Sequence, residues 1–351
     1  MRFTAGALLI IALLPPGASA QRPVDVTLEA LILAEDRRAS RPGDYELIAS
    51  AASHASGLMR AKAVRALGRL EQRHPAGVTP ADRIERALGD PDALVRRAAA
   101  YALAQSVTAL DAAARAPRRT ALLARLARED DDGAAGALME SGARLADAES
   151  VAGVDAAVVA QAGHAARHGA MASALEILAR RAGTPGVLSA PALDWLRAAV
   201  FDAALPLPSR RAALQALVTA RAVDQTLAAR AFALDDWQVR RLAVAAAQGA
   251  PEPPNLIDRA LRDPDPHVRY DAVRAATRRG ADGCVALAAA MKDADPHVAL
   301  AAVDALARCA DPALAAALSA LAAAPGGSSW HRASHALVAH ATARPEPARA
   351  P

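Results

Sequence analysis

Apolar and polar positions along this chain follow a motif that returns roughly every thirty residues. An aliphatic residue is followed by arginine, and alanine then stands four and seven positions beyond the aliphatic one. Met59-Arg60 leads to Ala63 and Ala66, and Val95-Arg96 to Ala99 and Ala102. Val239-Arg240 leads to Ala243 and Ala246, and Val268-Arg269 to Ala272 and Ala275. Two further copies vary the leading dipeptide (Ser209-Arg210 and Val298-Ala299) and keep both alanines, Ala213 with Ala216 and Ala302 with Ala305. Offsets of 0, 4, 7 and 8 trace one face of a helix with 3.6 residues per turn. Alanine on that face lets neighbouring helix axes approach toward the lower end of the roughly 8–10 Å packing range.

The polar positions mark where each helix begins. Three residues before the aliphatic position stand Asp92, Asp236, Asp265 and Asp295, with Ser56 in the earliest copy. Short oxygen-bearing side chains accept from the free N–H groups of a first helical turn. Pro266 and Pro296 then fall on the first helical residue, where a missing N–H costs nothing. The pattern therefore predicts a turn, a cap and a helix, once per repeat. A fixed period of this length predicts a solenoid, in which each unit stacks on its neighbours and length sets no domain count.

The stretch Leu88-Gly-Asp-Pro-Asp-Ala-Leu-Val-Arg-Arg-Ala-Ala-Ala-Tyr-Ala-Leu103 resembles a HEAT repeat. The resemblance implies an all-α solenoid of antiparallel helix pairs stacked in a right-handed superhelix. It also implies a ladder of aspartate and arginine from successive units along one rim. Ala299 and Ser209-Arg210, with Pro206 at the cap position, break that pattern, so the ladder is expected to be discontinuous. Exposed pairs of this kind are worth about 0–1 kcal/mol each, which makes register their expected role. Some nine to eleven helix pairs are expected at roughly 30–35 residues per unit. Residues 133–190, rich in glycine and alanine, are expected to hold degenerate repeats.

Composition adds a compartment. Met1-Arg2, the apolar run Ala5–Leu14 and Ala18-Ser19-Ala20 read as a secretory signal peptide over residues 1–20, cleaved before Gln21. Its apolar core is too short to span a bilayer of about 30 Å, and no later run predicts a membrane span. Residues 21–343 are then the solenoid of an exported protein, periplasmic or extracellular, and the proline-rich residues 344–351 a disordered tail.

Hydrophobic residues make up 53% of the chain and aromatics only 3%, so helix packing rests on alanine and aliphatic side chains. A pI near 9.5 raises nucleic acid as a partner. Against it, basic residues interleave with acids, Glu129-Asp-Asp-Asp132 forms an acidic counter-run, and aromatics for base stacking are scarce. The expectation is no nucleic acid.

Candidate chemistry is sparse. Cys284 and Cys309 fall near the start of one expected helix and the end of the next, so an antiparallel pair would bring them within disulfide reach; two buried apolar thiols are the alternative. His164/His168 and His331/His335 have the i, i+4 spacing of paired metal ligands, without the glutamate or third ligand of a zinc-protease site. No metal and no cofactor are expected. Trp237, at the start of its helix, either anchors a partner peptide or packs between layers. Arg240 and Arg269, with Arg60, Arg96 and Arg210, either line a rim for an acidic partner or pair between repeats. Nucleophile-elbow, phosphate-loop and Cys-x-x-Cys patterns are absent from the sequence, so no catalytic residues are expected.

A second, more specific resemblance covers most of residues 27–340. The segments Thr27–Arg38, Arg60–Arg69 and Pro296–Leu306, with Ser329-Trp330-His331, look like the repeat region of exported bacterial proteins that join HEAT repeats to a cyclophilin-type prolyl isomerase. Such an isomerase needs a β-barrel with an aromatic-lined proline pocket and a catalytic arginine, and no segment here reads as one. The expectation is an exported scaffold that binds a protein or peptide without catalysis of its own. The alternative is the binding portion of a peptidyl-prolyl cis-trans isomerase system.

Overall fold

The computed structural model describes residues 26–41, 43–70, 80–107, 112–182, 188–247, 255–279 and 281–306, with Cys309 and a few further positions up to Ala323. Every regular element among them is helical. The proposed signal peptide, the pair His331/His335, Trp330 and the proline-rich tail lie outside the described residues.

A leading helix, α1 (Leu28–Asp36), is capped by Thr27, whose hydroxyl accepts from the Ala30 N–H at 3.1 Å. Eight helical hairpins follow. Their first helices are α2 (Asp44–Ala51), α4 (Pro80–Ala87), α6 (Ala112–Leu126), α8 (Val151–Val159), α10 (Ala190–Phe201), α12 (Gln225–Phe232), α14 (Leu256–Ala260) and α16 (Ala281–Ala290). Their second helices are α3 (Gly57–Leu70), α5 (Ala93–Val107), α7 (Asp132–Leu145), α9 (His168–Ala182), α11 (Leu207–Thr219), α13 (Trp237–Ala246), α15 (Pro266–Ala276) and α17 (Pro296–Leu306).

Each second helix packs on the second helix before and after it, from α3 through α17, while the first helices touch one another far less. The alanine face explains the difference. Ala63, Ala99, Ala213, Ala243, Ala272 and Ala302 are all fully buried, and so are Ala66, Ala102 and Ala216. The approach between α3 and α5 is very close. A Cβ added to Gly68 would stand 2.7 Å from both the Cα and the Cβ of Ala102, so only glycine fits there.

Residues 133–190, expected to hold degenerate repeats, contain α7, α8 and α9 stacked in the same way as the rest. The leading dipeptide has changed, and larger or polar residues replace several of the alanines. Ala134 and Arg167 occupy the place of the aliphatic residue. From Ala134 the same face continues through Leu138 and Ser141, and from Arg167 through Met171, Ala174 and Leu175, all buried. Packing preserved a face whose sequence signature had been lost. Eight hairpins account for the described residues, fewer than the nine to eleven expected for the whole chain.

Candidate binding rim

The turn between the helices of each pair gathers the polar chemistry of the fold. Asp236, Asp265 and Asp295 each accept a hydrogen bond from the first turn of their own helix, from Val239 N at 2.9 Å, His267 N at 2.8 Å and His297 N at 2.9 Å respectively. Asp92 does the same for Leu94 N at 2.9 Å. One aspartate upstream, a second carboxylate serves the neighbour. The Arg269 Nε and Nη2 both bind Asp293 at 2.8 Å, and its Nη1 donates back to the carbonyls of Asp263 and Pro264. Arg240 repeats the arrangement, with Asp263 as its carboxylate and Leu234 and Asp235 supplying the carbonyls. So does Arg60, with Asp90 and the carbonyls of His54 and Ala55. Each guanidinium thus holds its own turn and the next unit's turn together.

Arg96 makes the most enclosed rung. Its Nε and Nη2 bind Glu129 at 2.9 and 2.6 Å, and Arg125 reaches the same carboxylate at 3.0 Å. The Glu129 side chain has no exposed surface. Burial by itself would raise its pKa; the Arg96 guanidinium, the Asp131 N–H and the Arg125 charge outweigh that and bring it down to about 2. Asp293 is also held below the usual carboxylate range, chiefly by its bonds from Arg269. In the sequence Glu129 reads as part of a solvated acidic run. A signal was present nonetheless, since it stands 33 residues after Arg96, close to one repeat away.

The ladder breaks where the sequence indicates. Arg210 donates to the Val200 carbonyl at 3.0 Å instead of a neighbour's acid, and Arg211 takes over, pairing with Asp236. The rungs are also drier than surface pairs. Arg240 and Asp263 keep 13% and 3% of their side-chain surface, and Arg269 and Asp293 keep 16% and 10%. Exposed-pair energetics therefore do not describe them, since removing one partner would strand a largely buried charge. Arg240 and Arg269 sit inside this ladder, with their nitrogens committed to the turns they join.

The rim also carries rings: Trp237 is half-buried against the core, while His267, Tyr270 and His297 are exposed. The Trp237 ring stacks on the His267 imidazole of the next unit, with centroids 4.9 Å apart and planes 28° apart. The Arg241 guanidinium lies over the other part of this cluster, 5.8 Å from the Trp237 centroid, and is tied to Asp271 at 2.8 Å. Beyond His267, a cavity of about 350 Å³ opens between α15 and α17, lined by Pro266, His267, Tyr270, Asp295, His297 and Val298. Tyr270 is 38% exposed.

The remaining candidates are placed elsewhere. Cys284 and Cys309 are joined in a disulfide with their Cα atoms 5.8 Å apart, tying α16 to the residues just past α17. His168 shares its Nε2 with the Ala162 carbonyl at 2.8 Å and packs edge-on against Trp195. Among the described residues no group of three or more His, Cys, Asp or Glu side chains is arranged to hold a metal. No described helix is long and apolar enough to cross a membrane.

Stacked helical hairpins with capped, arginine-clamped turns define an α-solenoid. The family model for HEAT repeats matches residues 45–141 and 253–337, over half of the chain. The protein belongs to the HEAT-repeat family. A chain from the structure of Kap95p with RanGDP superposes with a TM-score of 0.56 at 13% identity, covering 92% of this protein and 48% of that chain. This protein thus spans about half that chain's length. An engineered protein superposes at 0.48 with 16% identity, covering 89% and 95% of the two chains. Human deoxyhypusine hydroxylase in complex with glycerol does so at 0.31 with 19% identity, covering 89% and 98%. At 13% identity the likeness to the Kap95p chain concerns the fold. No match to a curated protein was found.

Proposed function

We propose that this protein is an exported scaffold that binds a polypeptide partner along the rim where α13, α15 and α17 begin. One observation carries the reading. In a chain with three tryptophans and three tyrosines, Tyr270, His267 and His297 line an open cavity between α15 and α17, and Trp237 on α13 stacks on its His267 wall. Rigid amphipathic rings of this kind are the side chains that dominate binding energy at protein interfaces. Their support is stiff, because the ladder arginines clamp the turns from which α13, α15 and α17 start. Export is supported by the apolar N-terminal segment and by a bonded pair of cysteines, which suits an oxidising compartment. Kap95p, whose structure shares this fold, binds RanGDP.

The test is selection from a random peptide library displayed on phage, with the purified, oxidised protein as bait. The wild type is expected to enrich a shared consensus, and the double variant Trp237→Ala/Tyr270→Ala to lose that enrichment. Equal enrichment by the two proteins would remove the rim from the binding surface.

A further inference from the structure

The N-terminal end of the stack carries an apolar face. Terminal units of a solenoid need a polar outer face to stay soluble, because nothing stacks beyond them. α1 packs on α2 and α3 and is the first described element, so its far side is the end of the stack. Leu31, Ala34 and Glu35 form its buried side, and the Glu35 carboxylate takes Arg69 of α3 at 2.6 Å. A helix turns about 100° per residue, which places Leu28, Ile32, Asp36, Glu29 and Leu33 in that order around the opposite arc. All five are exposed, and the three aliphatic residues keep 40%, 41% and 45% of their surface.

The middle of that arc selects what can cover it. Asp36 and Glu29 lie between the aliphatic flanks. The arginines closest in the packing are committed elsewhere, Arg37 to Asp44 and Arg69 to Glu35, so among the described residues no ion pair neutralises either acid. Arg38 and Arg41 stand past the helix, in the turn to α2. A second copy of this chain would set the same two carboxylates against them, parallel or antiparallel, and like charges at the centre of a contact repel. An anionic lipid surface meets the same objection, since helices that lie on one carry lysine and arginine. A helix with an aliphatic stripe and basic residues beside it satisfies both parts of the arc. Helix on helix is also how this fold continues. Each second helix from α5 to α15 lies between two others of its layer, whereas α1 has described neighbours on one side.

We propose that the free face of α1 is a docking surface for a basic amphipathic helix of a partner protein. Aliphatic side chains of that helix cover Leu28, Ile32 and Leu33, and its arginine or lysine residues pair with Glu29 and Asp36. This face lies at the opposite end of the described stack from the α13–α17 rim, and it stands or falls independently of the rim reading.

Three fluorescein-labelled synthetic helices test it by fluorescence anisotropy against the full, oxidised chain. The first carries leucine at helical spacing with arginines beside the stripe. The second has glutamate for each arginine, and the third has the composition of the first in scrambled order. The first is expected to bind at least tenfold more tightly than the other two, and Ile32→Ser should weaken it at least tenfold. The double variant Glu29→Lys/Asp36→Lys should prefer the second helix over the first, a reversal that loss of folding cannot produce.

Equal binding of the three peptides, or a preference that the double variant does not reverse, would overturn the charge match. Binding that ignores Ile32→Ser would move the site off α1. In sedimentation velocity, a dimer that Ile32→Ser dissociates would assign the face to a second copy and overturn the proposal. Tighter binding to phosphatidylglycerol vesicles than to the first helix would assign it to lipid. A tenfold gain in peptide affinity on deleting residues 21–25 would assign it to the chain's own leading segment.

Discussion

Arg269 and Asp293 face each other fork to fork across the boundary between two repeats, with both nitrogen–oxygen distances at 2.8 Å. The third arm of the same guanidinium closes the turn of its own unit on the Asp263 and Pro264 carbonyls. One side chain therefore sets the spacing between units and the entry angle of a helix that carries the binding rim.

Lysine cannot reproduce that geometry, because an ammonium offers a point charge where two planar pairs and two carbonyls need a fork. Arg269→Lys is expected to cost about 1–3 kcal/mol and Arg269→Ala more, since alanine leaves Asp293 largely buried beside no cation. Urea denaturation of the three proteins checks this. A lysine variant as stable as wild type would reduce the rung to simple charge pairing.

Acid should attack the ladder over a defined window. The Glu129 carboxyl has a pKa of about 2 in the folded chain against an ordinary 4.5. A depressed folded pKa gives stability that is fully present above the unfolded value and is lost as pH falls through the folded one. Stability should therefore decline from about pH 4.5 downward toward pH 2. Glu129→Gln should be less stable at pH 7 and show a flatter profile below pH 4.5, measured by thermal melts across that range. Parallel profiles for the two proteins would contradict this.

Gly68→Ala should destabilise the chain by about 1–3 kcal/mol through overpacking against Ala102. Helix propensity alone favours the substitution by about 1 kcal/mol, so the sign of the change decides which effect governs α3 and α5. Chemical denaturation reads that sign directly, and a gain in stability would mean the two helices separate readily.

Ser141 is fully buried in α7 with no hydrogen-bond partner for its hydroxyl. Ser141→Ala removes an unsatisfied polar atom at almost no change in volume and should raise stability by up to about 1 kcal/mol. A melting temperature lowered by the substitution would show that the hydroxyl is satisfied in solution.

The Cys284–Cys309 bond ties α16 to the end of α17, the helix that supplies His297 and Val298 to the cavity. Removing a native disulfide typically costs about 2–4 kcal/mol. Reduction should speed amide hydrogen exchange in residues 296–306 while leaving residues 57–70 unchanged. Uniform protection before and after reduction would separate the bond from the rim.

Much of this was legible in the residues. Alanine spacing marks the buried face, and the aspartates mark the caps, because both follow from local helix geometry. Asp293 as the partner of Arg269 follows from the family likeness plus one repeat of offset. The hairpins of residues 133–182 were less legible: Ala134 and Arg167 fill an aliphatic position, and tertiary packing tolerates what a pattern does not. The aromatic rim was the least legible. Trp237 reads alone as either anchor or core, and only stacking of units places His267 against it and Tyr270 beside His297. Contacts between units depend on a superhelical offset that no single repeat encodes.

The gap in the ladder has a consequence for how the molecule comes apart. Among the described residues no ion pair joins α9 to α11; Ala174, Leu175, Ala213 and Leu217 are buried there, and Arg167, just before α9, pairs back to Asp132 of the preceding unit instead. That junction carries one hydrogen bond, from the Thr219 hydroxyl to the Glu176 carboxylate at 3.3 Å, and depends less on charge than the ion-paired junctions on either side of it. In acid the stack should therefore fray inward from both ends and leave α9 and α11 as the last island of native structure. Warming at neutral pH, which spares the ion pairs, has no reason to follow that order. The same solenoid would then have two unravelling sequences, chosen by the solvent.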